Sequence, residues 1–106
     1  MFVTSQGSPY SRFQRALATG NLTIIRAAAA ELPRVDLGDA LSVCMAIRDA
    51  EPDRFERAAL RWLARFAAEQ ASTVGEVREA AGAMAAMPSD PGGALDVLRR
   101  LCGRRP

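Results

Sequence analysis

The chain has 106 residues, enough for one domain and too few for two. Apolar residues make up 49%, which supports a packed core and argues against wholesale disorder. Fourteen Arg stand against twelve Asp plus Glu, for a net charge of +2, and there is neither Lys nor His. Without His no Ser-His or Cys-His pair can form, and no imidazole can hold a metal.

The chain reads as six helices. The first begins at Ser8-Pro9, an N-cap hydroxyl followed by Pro at the first helical position. Tyr10, Phe13 and Leu17 share one face, and Gly20 supplies a left-handed stop. Asn21 caps a second helix with Leu22, Ile25, Ala29 and Leu32 on its stripe, and Pro33 ends it.

Asp36 caps a third helix over 37–50. Leu37, Ala40, Leu41, Val43, Cys44, Met45 and Ile47 cover more than half its circumference, so it should meet neighbours on several sides. Asp53 and Glu56 resemble a capping box for a fourth helix over 54–70. Thr73 and Glu76 form a full box for a fifth over 74–87, with Val77, Ala80, Ala81, Met84 and Met87 as its apolar face. The sixth starts at Asp90-Pro91, buries Leu95, Leu98 and Leu101, and stops at Gly103.

No stretch alternates with period two, so no sheet is expected. Short connections favour antiparallel neighbours. Residues 27–41, AAAAELPRVDLGDAL, echo 81–95, AGAMAAMPSDPGGAL, as two similar αα-hairpins. The expected fold is all-α: a compact single-domain bundle of five or six short helices. An N-terminal tail (1–8) precedes the helical domain (9–102), and a basic C-terminal tail (103–106) follows it.

The pattern SRFQRAL, GNL, AAAAELPRVDLGDAL and RAALRWLARFAAE resembles small uncharacterised all-helical proteins of high-GC, actinobacterial-type bacteria. The resemblance covers roughly residues 11–70 and implies no activity and no site residues. Alanine makes up about a fifth of the chain, and every basic residue is Arg, which fits the same genomic bias.

Charge is segregated. Residues 1–33 carry net +2, 34–53 net −3, 54–65 net +3, 66–98 net −4 and 99–106 net +4. Such a chain suits pairing within the fold or a partner of complementary charge. On the fourth helix Arg54, Arg57, Arg61 and Arg65 fall within about 80° of arc, and the opposite arc carries Phe55, Ala59, Trp62, Leu63 and Phe66. The row reads in two ways. It is either a guanidinium row for phosphates or partner carboxylates, or a solvated face with Asp53–Arg57 as an ordinary pair. Trp62 and Tyr10 read as packing anchors. Arg99, Arg100, Arg104 and Arg105 form a basic cluster at the C-terminus. On the fifth helix, Gly82, Ala83 and Ala86 make a small-residue face, either a helix contact or a dimer seam.

Chemistry is sparse. Asp49, Glu51 and Asp53 begin like a calcium loop, but Leu60 stands where the closing Glu belongs. Gly92-Gly93 lacks the lysine of a phosphate loop. Cys44 and Cys102 fall on apolar faces and read as buried thiols. No catalytic residue, metal site or cofactor is expected, and the chain is not expected to be an enzyme. No apolar run is long enough for a membrane span, and Met1-Phe2-Val3-Thr4 does not open like a signal peptide, so a cytoplasmic location is expected. The expected function is a small helical protein–protein interaction module, self-associating or docking on a protein partner. The alternative is a non-sequence-specific nucleic-acid-binding accessory protein using the Arg row and the basic C-terminus.

Overall fold

A computed structural model describes residues 7–103; the first six residues, and Arg104, Arg105 and Pro106 of the basic tail, lie outside the described part. The described chain is all-α. Its helices are α1 (Pro9–Thr19), α2 (Leu22–Ala30), α3 (Leu37–Ala50), α4 (Phe55–Glu69), α5 (Val74–Ala86) and α6 (Pro91–Gly103). A 3-10 turn, Pro52–Arg54, leads into α4, and no strand occurs among the described residues. No helix among them is long and apolar enough to cross a membrane.

Local side-chain chemistry sets most of these boundaries. Ser8 Oγ accepts from the Ser11 N–H at 3.0 Å, and Asn21 Oδ1 from the Ile24 N–H at 3.2 Å. Asp36 Oδ1 accepts from Asp39 N–H at 2.9 Å, and Asp90 Oδ1 from Gly93 N–H at 3.1 Å. Each bond satisfies an otherwise orphaned donor of a first turn, worth about 1 kcal/mol. Gly20 closes α1 at φ +69°, where a side chain would be strained, and its N–H reaches the Leu17 carbonyl.

Local details differ from expectation at three helices. α2 stops at Ala30, so Leu32 lies beyond the helix while still packing on the core. Pro33 disfavours helical backbone at the residue before it. Before α4, Asp53 lies inside the 3-10 turn, whose own N-cap is Glu51, with no side-chain cap bond. At α5 the Thr73 hydroxyl accepts from Glu76 N–H at 3.1 Å, but the Glu76 carboxylate reaches one residue further back, to the Ser72 N–H at 2.7 Å.

The chain divides into two compact units, residues 1–55 and 56–106. In the first, α1 packs on α2, and α3 packs on both. Phe13, Ala16 and Ile25 are buried, with Leu17, Ala28, Ala29, Leu32, Val35, Val43 and Ala46 packed around them. Leu37, Leu41 and Cys44 form a second buried stripe on α3, roughly opposite Val43 and Ala46 by helical periodicity. The broad apolar arc of this helix is thereby used on two sides.

In the second unit α5 packs on α6. Ala80, Ala83, Met84 and Met87 are buried on the one, and Ala94, Leu98 and Leu101 on the other. The two segments of the internal echo share one local design. In each a helix end is followed by Pro, then by an Asp whose carboxylate caps the next helix.

Candidate functional site

α4 is built from helix formers, FERAALRWLARFAAE, with no β-branched residue to restrict it. Phe55, Ala59, Trp62 and Phe66 are buried along one arc. Trp62 and Phe66, one turn apart, stack with ring centroids 5.3 Å apart and an interplanar angle of 7°. The four arginines lie on the other side, but they are not equivalent.

The ends of the row are neutralised within the chain. Arg65 grips Glu69 through two N–H groups, at 2.8 and 3.1 Å, and Arg54 lies 3.6 Å from Glu51. Arg57 and Arg61, in the middle, are exposed and have no carboxylate partner among the described residues. The expected Asp53–Arg57 pair is not made, and Glu51 and Glu69 are used instead. Leu60, 59% exposed, sits between the two middle arginines in sequence and beside Arg57 on the helix surface. Ala64 and Ala67, also exposed, continue its stripe at the i+4 and i+7 positions. Of the expected apolar arc, Phe55, Ala59, Trp62 and Phe66 are buried and Leu63 is partly buried, whereas sequence reasoning weighs Leu60 only against the calcium-loop pattern. The available signal was a large apolar residue outside that arc, on the arginine side.

The other proposed residues are dispersed. Arg100 pairs with Glu79, while Arg99 is exposed and engaged within the chain. The small-residue face of α5 is not a single open surface. Ala83 is buried with the core stripe, Ala86 is half-buried, and Gly82 and Ala81 are exposed. Ala83 lies only 60° from Ala80 on the helical wheel, so it turns inward with it. A Cβ at Gly82 would meet nothing within 4 Å. Gly82→Ala should therefore stabilise the protein by up to about 1 kcal/mol through helix propensity, read as a higher melting temperature. A dimer seam needing close backbone approach at Gly82 would be blocked by the same methyl, and sedimentation of the variant checks this.

Tyr10 is 49% exposed rather than an anchor. Its hydroxyl accepts from Gln14 at 2.6 Å and donates to Asp39 at 3.4 Å, with burial first and then the Asp39 charge raising its pKa. Asp49 pairs with Arg48, and Glu51 takes Arg26 at 3.2 Å as well as Arg54, so the acids of the calcium-like stretch serve arginines. The hydrogen bond from Arg26 holds the Glu51 carboxyl below its ordinary pKa. A depressed carboxyl adds stability above its unfolded pKa of about 4.3 and loses it as pH falls through the folded value. Denaturation between pH 5 and 2 (about the carboxylate range) should be shallower in Glu51→Gln than in the native chain.

A groove of about 380 Å³ runs between α1 and α2, floored by Ala16 and Ala28, with Ile24 and Ala27 on one lip and the Arg12–Glu31 pair among its lining. Its one carboxylate, Glu31, is paired with Arg12, its one hydroxyl, Thr19, donates to the Ala16 carbonyl, and no cluster of three or more His, Cys, Asp or Glu side chains suited to a metal occurs among the described residues. Comparison with family models, curated proteins and solved structures finds no match.

Proposed function

We propose that the protein is a small helical interaction module that docks a protein partner through the outward face of α4. The observation that carries this reading is Leu60, a large apolar side chain left 59% exposed near two arginines that have no carboxylate partner among the described residues. Arg57 and Arg61 supply charge and directional hydrogen bonds, Leu60 supplies apolar area, and Ala64 allows close approach.

A phosphate-tracking role is less well served. Glu51 and Glu69 already take the ends of the row, and Asp53 and Glu56 stand exposed beside it. Within the row itself, the two remaining arginines correspond to a salt slope of only about −1.8, against roughly −10 for a strong DNA binder.

A photo-crosslinking amino acid placed at position 60, and at exposed position 78 on α5 as control, tests this reading in cells. The expected result is a protein adduct from position 60 that disappears with Arg57→Glu and Arg61→Glu, and none from position 78. A nuclease-sensitive adduct, or equal adducts from both positions, would overturn it.

A further inference from the structure

The docking face on α4 has a definite pattern, and its complement can be read from it. Arg57 and Arg61 are four residues apart, about 6 Å along the helix axis. Each carries a planar fork suited to one carboxylate. The matching surface therefore holds two carboxylates about 6 Å apart, with an apolar side chain alongside to cover Leu60 and Ala64. Two acids at i and i+4 on a helix have that spacing. A strand can also place acids about 7 Å apart, but it docks through backbone groups on a sheet edge, and the middle of an α-helix has none to offer. The Leu60, Ala64, Ala67 stripe follows helical periodicity, as packing against a second helix requires.

A second copy of the chain fits poorly. Antiparallel pairing of α4 with itself about a twofold centred on Leu60 sets Arg61 against its own equivalent. Parallel pairing does the same with Arg57. Neither supplies the missing carboxylates.

We infer that the outward face of α4 receives an acidic amphipathic helix of another protein, with Asp or Glu at i and i+4 meeting Arg57 and Arg61 and a bulky apolar residue seated on Leu60 and Ala64. This inference rests on the docking reading above and specifies its partner. Binding weakens with salt, because exposed ion pairs are screened, and retains an apolar component that salt does not remove.

The test uses the full chain and a fluorescent helical peptide with Glu at i and i+4 beside Leu. Anisotropy should show saturable binding, weakened about tenfold by Arg57→Gln with Arg61→Gln and by at least as much by Leu60→Glu. All three side chains are exposed, and circular dichroism checks that the variants stay folded. A control peptide with Gln at both acidic positions should lose a similar factor. Equal binding of the two peptides would overturn the carboxylate assignment. A single-stranded oligonucleotide binding more tightly than the peptide would overturn the choice of partner, as would a concentration-dependent dimer abolished by Leu60→Glu. If the peptide fails while the position-60 protein adduct persists, the acidic-helix assignment falls and the docking reading stands. If both fail, both readings fall.

Discussion

Replacing Trp62 by Ala should lower folding stability by about 3–5 kcal/mol, the range for emptying a large aromatic from a core. The indole is 2% exposed and lies flat against Phe66, itself 1% exposed. Removing it takes away both the buried area and the stacking partner, and nearby Ala59 is too small to fill the space. A domain of this size is stable by only about 5–15 kcal/mol, so the loss is a large share of the total. The melting temperature should fall by tens of degrees, at about 4–8 °C per kcal/mol. Leu41→Ala, at a fully buried position on α3, should cost about 2–5 kcal/mol. Leu60→Ala, two residues before the indole on the exposed side of the same helix, should change stability by no more than about 0.5 kcal/mol. Melts in which Trp62→Ala and Leu60→Ala behave alike would contradict the assignment of the two faces of α4.

Cys44 should react at least about a hundredfold more slowly than an unperturbed thiol. Burial pushes the Cys44 thiol up to about 11, and the side chain is almost inaccessible. Raising a thiol pKa from 9.0 to about 11 lowers the thiolate population near neutral pH about a hundredfold, and restricted access slows attack further. Cys102 is partly exposed in the last turn of α6. A disulfide reagent should therefore label one thiol quickly, and the second only when the protein unfolds. Rapid labelling of both would show that the buried stripe of α3 is open.

The same shift gives a pH dependence of defined sign. The folded state holds the Cys44 proton more tightly than the unfolded chain does. Its contribution is fully present below pH 9 and is lost as pH rises towards about 11. Chemical denaturation across that window should show a fall in stability that Cys44→Ala reduces.

Much of the secondary structure was legible because its signals are local. Ser8, Asn21, Asp36 and Thr73 each satisfy an N–H group three residues away, so the identity of one side chain marks a helix start. Pro33 and Gly20 act on the backbone at or next to themselves. The start of α4 was misread because Asp53 resembles a cap, while Pro52 opens a 3-10 turn that draws Asp53 inside. The Arg row was likewise visible as a pattern. Its division into neutralised ends and open middle was not, because both Glu51 and Asp53 stood within reach of it in sequence. Only the folded geometry selects Glu51 for Arg54 and leaves Asp53 without Arg57.

The amino-acid sequence alone determined that the chain is helical, where most helices begin, which arc of α4 is apolar, and that no His-based chemistry is available. These follow from side-chain identity and interactions within four residues. Tertiary structure decided the rest. It divided the wide apolar surface of α3 between a buried stripe and a partly buried one, and turned Ala83 inward while leaving Gly82 open. It left Tyr10 half exposed and joined Arg26 to Glu51 across 25 residues of chain. It also left Leu60 in solvent beside Arg57, which like Arg61 has no carboxylate partner among the described residues. The physical reason is that helical periodicity specifies the face a residue occupies, whereas burial and ion pairing depend on what other parts of the chain bring to that face.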